Sequence, residues 1–195
     1  MLGQPIKRYD PVAMILHWVM ALGIVALAVM GLYMVHGKPD PARLFQLYQL
    51  HKSIGITVLL TAVIRLGWRL WRRPPLLSPG AQSPLERRAA NGVHWTLYGF
   101  LLLLPLTGWA LVSVSVFDIP TVLYGVVPWP HLPILSALEN KEPAEAVFKL
   151  IHAYGAWALI ALVAVHAAAA IRHGLRRDGI MGRMLPPVRH RPIDF

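Results

Sequence analysis

Two histidines fourteen residues apart, His152 and His166, stand in a long apolar stretch that runs from Ala146 to Arg172. An imidazole inside such a run is expensive to keep unless something uses it. Fourteen residues of α-helix rise about 21 Å and bring the second residue back to within about 40° of the first. Both rings therefore leave one helix face, each near one boundary of the membrane that the run is long enough to cross. Residues 167 to 170 are all alanine, which leaves room beside His166 for something large and flat. One chemistry uses all of this: a helix that donates one axial ligand to each of two stacked haems.

The other histidines fall into place around these two. His17 lies a little over one turn into the first apolar run, and in an antiparallel arrangement it comes to the depth of His166. His51, near the start of the second run, comes to the depth of His152. An iron between two helices takes an imidazole from each side, and bundle cores are a normal place for such sites. A lone histidine would be read first as an interhelical hydrogen-bonding residue. Four of them at two matched depths favour ligation. His94, at the start of the third run, is a third imidazole at the His17 level; it is either a rival ligand or an interfacial hydrogen-bonding group. Arg65 follows His51 by fourteen residues and reaches the same level. Two readings stand for it: a partner for a haem propionate, or a cation snorkelling to the interface with Arg69. His173 lies about two turns beyond His166 on nearly the same face, among Arg172, Arg176 and Arg177. It is read either as a contact for a quinone headgroup or as an interfacial residue. His36, His131 and His190 fall in connections or the tail and are read as solvated.

The elements that must hold these residues are apolar runs at about 12–35, 47–70, 93–116 and 146–172, each close to the roughly 20 residues a spanning helix needs. The expected fold is an all-α membrane protein, a single domain over 1–195 built as a four-transmembrane-helix antiparallel bundle. Hydrophobic residues make up 56% of the chain and there is no cysteine, which excludes iron–sulfur clusters, thiolate zinc sites, covalent haem attachment and disulfides together. The net charge of +10 does not point to nucleic acid, because the cations cluster at the ends of the apolar runs. Fourteen of the 19 Lys and Arg residues, Lys7, Arg73, Arg189 and Arg191 among them, fall at the N-terminus, the second connection or the C-terminus. Positive charge stays inside, so both termini are expected in the cytoplasm. The first run is read as a retained signal-anchor. The third connection, 117–145, centres on Val127-Pro-Trp-Pro-His-Leu-Pro133, which cannot be regular helix. Its Tyr124 and Trp129 suit an interfacial lid.

Several short stretches together carry a resemblance. They are Leu16-His17-Trp18, Leu50-His51-Lys52, Arg65-Leu66, His94-Trp-Thr-Leu-Tyr98, Pro105-Leu-Thr-Gly-Trp109, Ile151-His152, Val165-His166 with the alanines after it, His173, and the closing Met184-Leu-Pro186. Over nearly its whole length the chain resembles the bacterial cytochrome b561 family. The resemblance implies two non-covalent b haems in a multi-pass protein of the bacterial inner membrane. It also implies electron transfer across the bilayer and exchange with the quinone pool, ubiquinone included. Some members resemble superoxide oxidases, which take an electron from superoxide at the outer face, so a periplasmic donor is expected. Related cytochrome subunits instead dock a separate hydrogenase or dehydrogenase. A different class, a haem-free proton-coupled transporter using histidines as relays, is the rival reading.

Overall fold

In the computed structural model, residues 8–72, 75 and 83–186 are described. Lys7, Arg73, His190, Arg189 and Arg191 lie outside the described residues. The order of elements is α1 (Pro11–His36), α2 (Pro41–Trp71), α3 (Pro84–Ser113), the strands β1 (Thr121–Leu123) and β2 (Val127–Trp129), α4 (Pro133–Ser136), α5 (Glu142–Arg176) and a closing 3-10 turn, Met181–Met184. Helices α1, α2, α3 and α5 are long and apolar enough to cross a membrane.

Three of the four long helices start in the same way. A polar N-cap precedes a proline, whose missing N–H costs nothing in the first turn. Asp10 accepts from the Ala13 N–H and Asp40 from the Arg43 N–H, both at 3.0 Å. Ser83 and Glu86 close a reciprocal capping box. These caps correct the expected boundaries. Helix α2 begins at Pro41 and not near 47, and α3 at Pro84 and not near 93. Apolar runs mark the part of a helix that lipid solvates, whereas caps mark where the backbone starts to coil. Helix α5 likewise outruns its apolar core at both ends, and α3 stops at Ser113, short of 116.

Helix α1 packs on α2, α2 on α3, and α3 on α5. The buried cluster of Met20, Val58, Ala62 and Leu101 joins the first three. Close approach relies on missing side chains, as is common between membrane helices. A Cβ on Gly23 would sit 2.7 Å from Val58, and one on Gly155 would sit 2.9 Å from Leu104. Among the described residues, neither α1 and α5 nor α2 and α5 share an extended backbone contact. The outward faces carry large apolar residues such as Ile15, Leu22, Val29, Val165 and Ile171, which a bilayer solvates.

The third connection, whose centre was expected not to be regular helix, forms a small hairpin between the spanning helices. Strands β1 and β2 pair antiparallel with Thr121 opposite Trp129 and Leu123 opposite Val127. The reversal uses left-handed backbone at Tyr124 (φ 53°) and Gly125 (φ 74°). Pro128 is tolerated because a two-stranded ribbon has free edges. The hairpin lies on α2 through residues one turn apart. Gln49 donates to Pro120 O (2.9 Å) and accepts from Val122 N (3.4 Å), Ser53 Oγ accepts from Tyr124 N (2.9 Å), and Thr57 meets the Tyr124 hydroxyl (2.6 Å). Helix α3 holds the far side, with Trp109 Nε1 donating to Pro130 O and Leu132 N donating to Ser113 Oγ. His131, expected to be solvated, has a side chain only 16% exposed, with Nδ1 3.6 Å from Asp118. The hairpin tucks it inward.

At the opposite end the chain turns back after α5. Arg177 takes a left-handed conformation (φ 53°), Tyr9 N donates to Arg183 O, and Trp18 Nε1 donates to Met184 O. Both ends of the described chain therefore meet at one end of the bundle, called here the termini end. The other is the hairpin end.

Candidate functional site: two levels of paired imidazoles

The antiparallel helices bring the four predicted histidines together in the expected pairs. The ring centres of His17 (α1) and His166 (α5) lie 6.2 Å apart with the planes at 68°. Those of His51 (α2) and His152 (α5) lie 6.3 Å apart with the planes at 74°. These rings span the two helix pairs that do not pack backbone to backbone. A metal–imidazole bond of about 2 Å, with about 1.2 Å from ring nitrogen to ring centre, would put two coaxial ligands about 6.4 Å apart. Both pairs fit that spacing. Each supplies only two donors, and among the described residues no group of three or more His, Cys, Asp or Glu converges on a metal position. A macrocycle that brings its own equatorial donors suits such a pair.

The surroundings of the hairpin-end pair fit as well. The Thr107 hydroxyl donates to Leu104 O (2.7 Å) and meets His152 Nδ1 at 3.0 Å. A hydroxyl has one proton, so toward the imidazole it accepts. His152 then carries its proton on Nδ1 and presents Nε2 as a free lone pair, the usual way a partner selects the ligating nitrogen. A Cβ on Gly108 would lie 3.0 Å from the His152 ring, so glycine there makes room for it. His51 Nδ1 is buried without a hydrogen-bond partner among the described residues. Such an orphan costs about 1–3 kcal/mol, unless the ring is engaged in another way. Thr107 and Gly108 were visible in the sequence only as part of the Pro105-to-Trp109 stretch, with no role attached.

The termini-end level is more crowded. His94 (α3) lies 5.5 Å from His166, ring centre to ring centre. His17, His94, His166 and Arg65 are all within electrostatic reach of one another. Arg65 Nη1 donates to Ala13 O at 2.5 Å, in the first turn of α1. That carbonyl is the one the His17 N–H addresses in the helical ladder, so Arg65 ties α2 to the turn that carries His17.

His173 stands apart from the pairs. It donates from Nδ1 to Asp178 Oδ2 at 2.5 Å, and Asp178 Oδ1 accepts from Ile180 N. Partial burial pushes the Asp178 carboxyl up, but the hydrogen bonds from His173 and Ile180 outweigh it and hold the group below its ordinary value. Asp178 was missed in the sequence because it lies past the end of α5, and only the left-handed turn at Arg177 brings it back. His36 is exposed and bonds Leu32 O within its own helix.

Four membrane-capable helices with paired imidazoles at two levels define a class, the helical membrane proteins that bring histidines together between their spans. The comparison with known proteins narrows it. The model of the prokaryotic cytochrome b561 family matches residues 8–187, and the chain belongs to that family. It is similar to cytochrome b561 homolog 2 of Escherichia coli K12, 29% identical over 181 residues, which is 92% of either chain. It is also similar to cytochrome b561 homolog 1 of the same organism, 28% identical over 184 residues, 92% of this chain and 98% of the relative. The protein is thus a multi-pass protein of the bacterial inner membrane, and its role is haem-based electron transfer across that membrane.

Proposed function

We propose that the chain carries two b haems and moves electrons from a donor at the hairpin end, such as superoxide, to ubiquinone. His17 and His166 would hold the haem at the termini end, and His51 and His152 the haem at the hairpin end. The observation that carries the reading is the matched ring-centre separation, 6.2 and 6.3 Å, at two levels of one bundle. Haem, when bound, supplies a one-electron couple at each level. The protein's part is placement. Thr107 fixes the His152 tautomer, and Arg65 offers the remaining N–H groups of its guanidinium to a propionate. Lys52 beside His51, with Arg43 on the exposed first turn of α2, gives positive charge to draw an anionic donor. In its doubly protonated form His173, held by Asp178 through Nδ1, would donate from Nε2–H to a quinone carbonyl, pass that proton to the ring oxygen as ubiquinone is reduced, and take it back from water at the termini end.

Stopped-flow mixing of the oxidised holoprotein with superoxide, and separately with ubiquinol, tests the direction. Fast reduction by superoxide, followed by reoxidation when ubiquinone is added, is the expected result. Reduction by ubiquinol alone, with no response to superoxide, would overturn the assigned donor.

One specific observation favours a second pairing at the termini end. His94 is closer to His166 than His17 is, 5.5 against 6.2 Å. The His17 spacing matches two coaxial ligands better, so we assign His17. The expected outcome is that His94→Ala keeps two haems per chain and His17→Ala keeps one. The reverse pattern would exchange their roles.

A further inference from the structure

We propose that the groove at the termini end, where α2 leaves the bundle, is a binding site for the phosphodiester headgroup of an anionic phospholipid. It shares Arg65 with the haem assignment and otherwise rests on Arg69 and Arg72, which the haem and quinone assignments do not use. Arg65, Arg69 and Arg72 fall at i, i+4 and i+7 of α2 and share one face. They line a groove of about 340 Å³, open mouth included, together with Tyr9, Trp68 and Tyr98. Two of the guanidiniums are held by aromatic faces. Arg69 lies 5.3 Å from the Trp95 ring centre and 5.4 Å from that of Tyr98, and Arg72 lies 4.8 Å from Trp71 and 5.9 Å from Trp68.

A guanidinium stacked on a ring spends its face and keeps its in-plane N–H donors, the edge that recognises phosphate in a bidentate fork. Among the described residues no carboxylate pairs with any of the three arginines. The one acid in the groove, Asp10, is already engaged, with Oδ1 accepting from Ala13 N and Trp68 Nε1, and Oδ2 also accepting from Trp68 Nε1. The site is thus a fixed concentration of positive charge with unspent donors. Its position selects the ligand. It opens at the end of a membrane-capable helix, beside Leu70 and Trp71, which are 69% and 70% exposed. Acyl chains can lie against that apolar flank while the phosphate enters the groove. Basic pockets of this kind between spanning helices take lipid headgroups. A free phosphate ion would use the charge but not the flank.

Native mass spectrometry of the holoprotein tests this, with phosphatidylglycerol, phosphatidylcholine and inorganic phosphate as probes. The expected result is selective binding of phosphatidylglycerol. It should weaken about thirtyfold in Arg69→Gln/Arg72→Gln, the effect of two headgroup-level cations. The variant Arg87→Gln/Arg88→Gln removes the same charge from exposed positions on α3 and should bind as the wild type does. Equal losses in both double variants would mean general surface attraction, and would overturn the site. Equal retention of phosphatidylcholine would do the same. Displacement of the lipid by equimolar inorganic phosphate would make the groove a phosphate site and not a lipid one. Loss of haem from Arg69→Gln/Arg72→Gln would assign these arginines to haem instead. Should the glutamine variant fail to fold, Arg69→Lys/Arg72→Lys keeps the charge but loses the fork. An intermediate affinity supports the proposal, and wild-type affinity overturns it.

Discussion

At the scale of single residues, the hairpin-end site turns on one proton. Thr107 spends its hydroxyl hydrogen on Leu104 O and so can only accept from His152 Nδ1. Valine is close to isosteric with threonine and removes that acceptor without opening a cavity. The partners of ligating histidines are commonly worth 10- to 100-fold in metal affinity. On the proposed assignment of His152 as a haem ligand, Thr107→Val is expected to weaken haem retention at the hairpin end by roughly tenfold or more. The haem at the termini end should be untouched. Titration of each variant apoprotein with haem, followed by absorbance, measures this. An affinity within twofold of the wild type would show that the Thr107 contact does not select the tautomer. Arg65 belongs to the same scale. Its fourteen-residue spacing from His51 predicted the level it reaches, but not that it would bind the backbone carbonyl of Ala13. Periodicity reports the direction in which a side chain leaves its helix and not the partner it meets on the next one.

Among the elements, the hairpin is the one whose form and docking the sequence concealed. A stretch with prolines at 128, 130 and 133 excludes helix, but exclusion of helix does not by itself select a strand. Pairing came from the left-handed pair Tyr124 and Gly125, and docking from the polar ladder Gln49, Ser53 and Thr57 on α2. Removing the ladder should release the hairpin while leaving the bundle intact. Gln49→Ala/Ser53→Ala deletes three hydrogen bonds to the connection, those with Pro120 O, Val122 N and Tyr124 N. At about 1 kcal/mol each, local opening should become roughly 100-fold more frequent. Hydrogen exchange of amides in 120–132 reads this directly. Unchanged protection there would mean that Trp109 and Ser113 of α3 hold the hairpin by themselves.

For the whole molecule, the fold brings both ends of the described chain to one face, where Tyr9 meets Arg183 and Trp18 meets Met184. Which side of the membrane that face occupies rests on charge. By sequence position, fourteen of the 19 cations fall in the N-terminal segment, the second connection and the C-terminal segment with the helix ends beside them, and positive charge resists translocation. Reporter fusions at the N- and C-termini should both be active in the cytoplasm. A periplasmic signal from either would reverse the assigned direction of electron flow as well as the topology. The same face carries the arginine groove and the His173–Asp178 pair, so orientation decides which compartment both serve.

By itself, the sequence determined the number of spanning helices, the membrane setting and the two histidine levels. All three depend on local quantities: apolar run length, helical rise and the angle per residue. It also determined that His152 and His166 share a face, because both lie on one helix. The tertiary structure decided what depends on distance between elements. The separation of α1 from α5 and of α2 from α5 leaves each histidine pair about two metal–ligand bonds and two half-rings apart, a spacing that no count along one helix contains. Contact between His94 and His166, the turn that carries Asp178 back to His173, and the Thr107 hydroxyl facing His152 also belong to the tertiary structure. The first and the last are meetings of residues far apart in the chain, set by which helices pack closely and which are held apart, whereas the His173–Asp178 contact spans five residues and depends on the left-handed turn at Arg177.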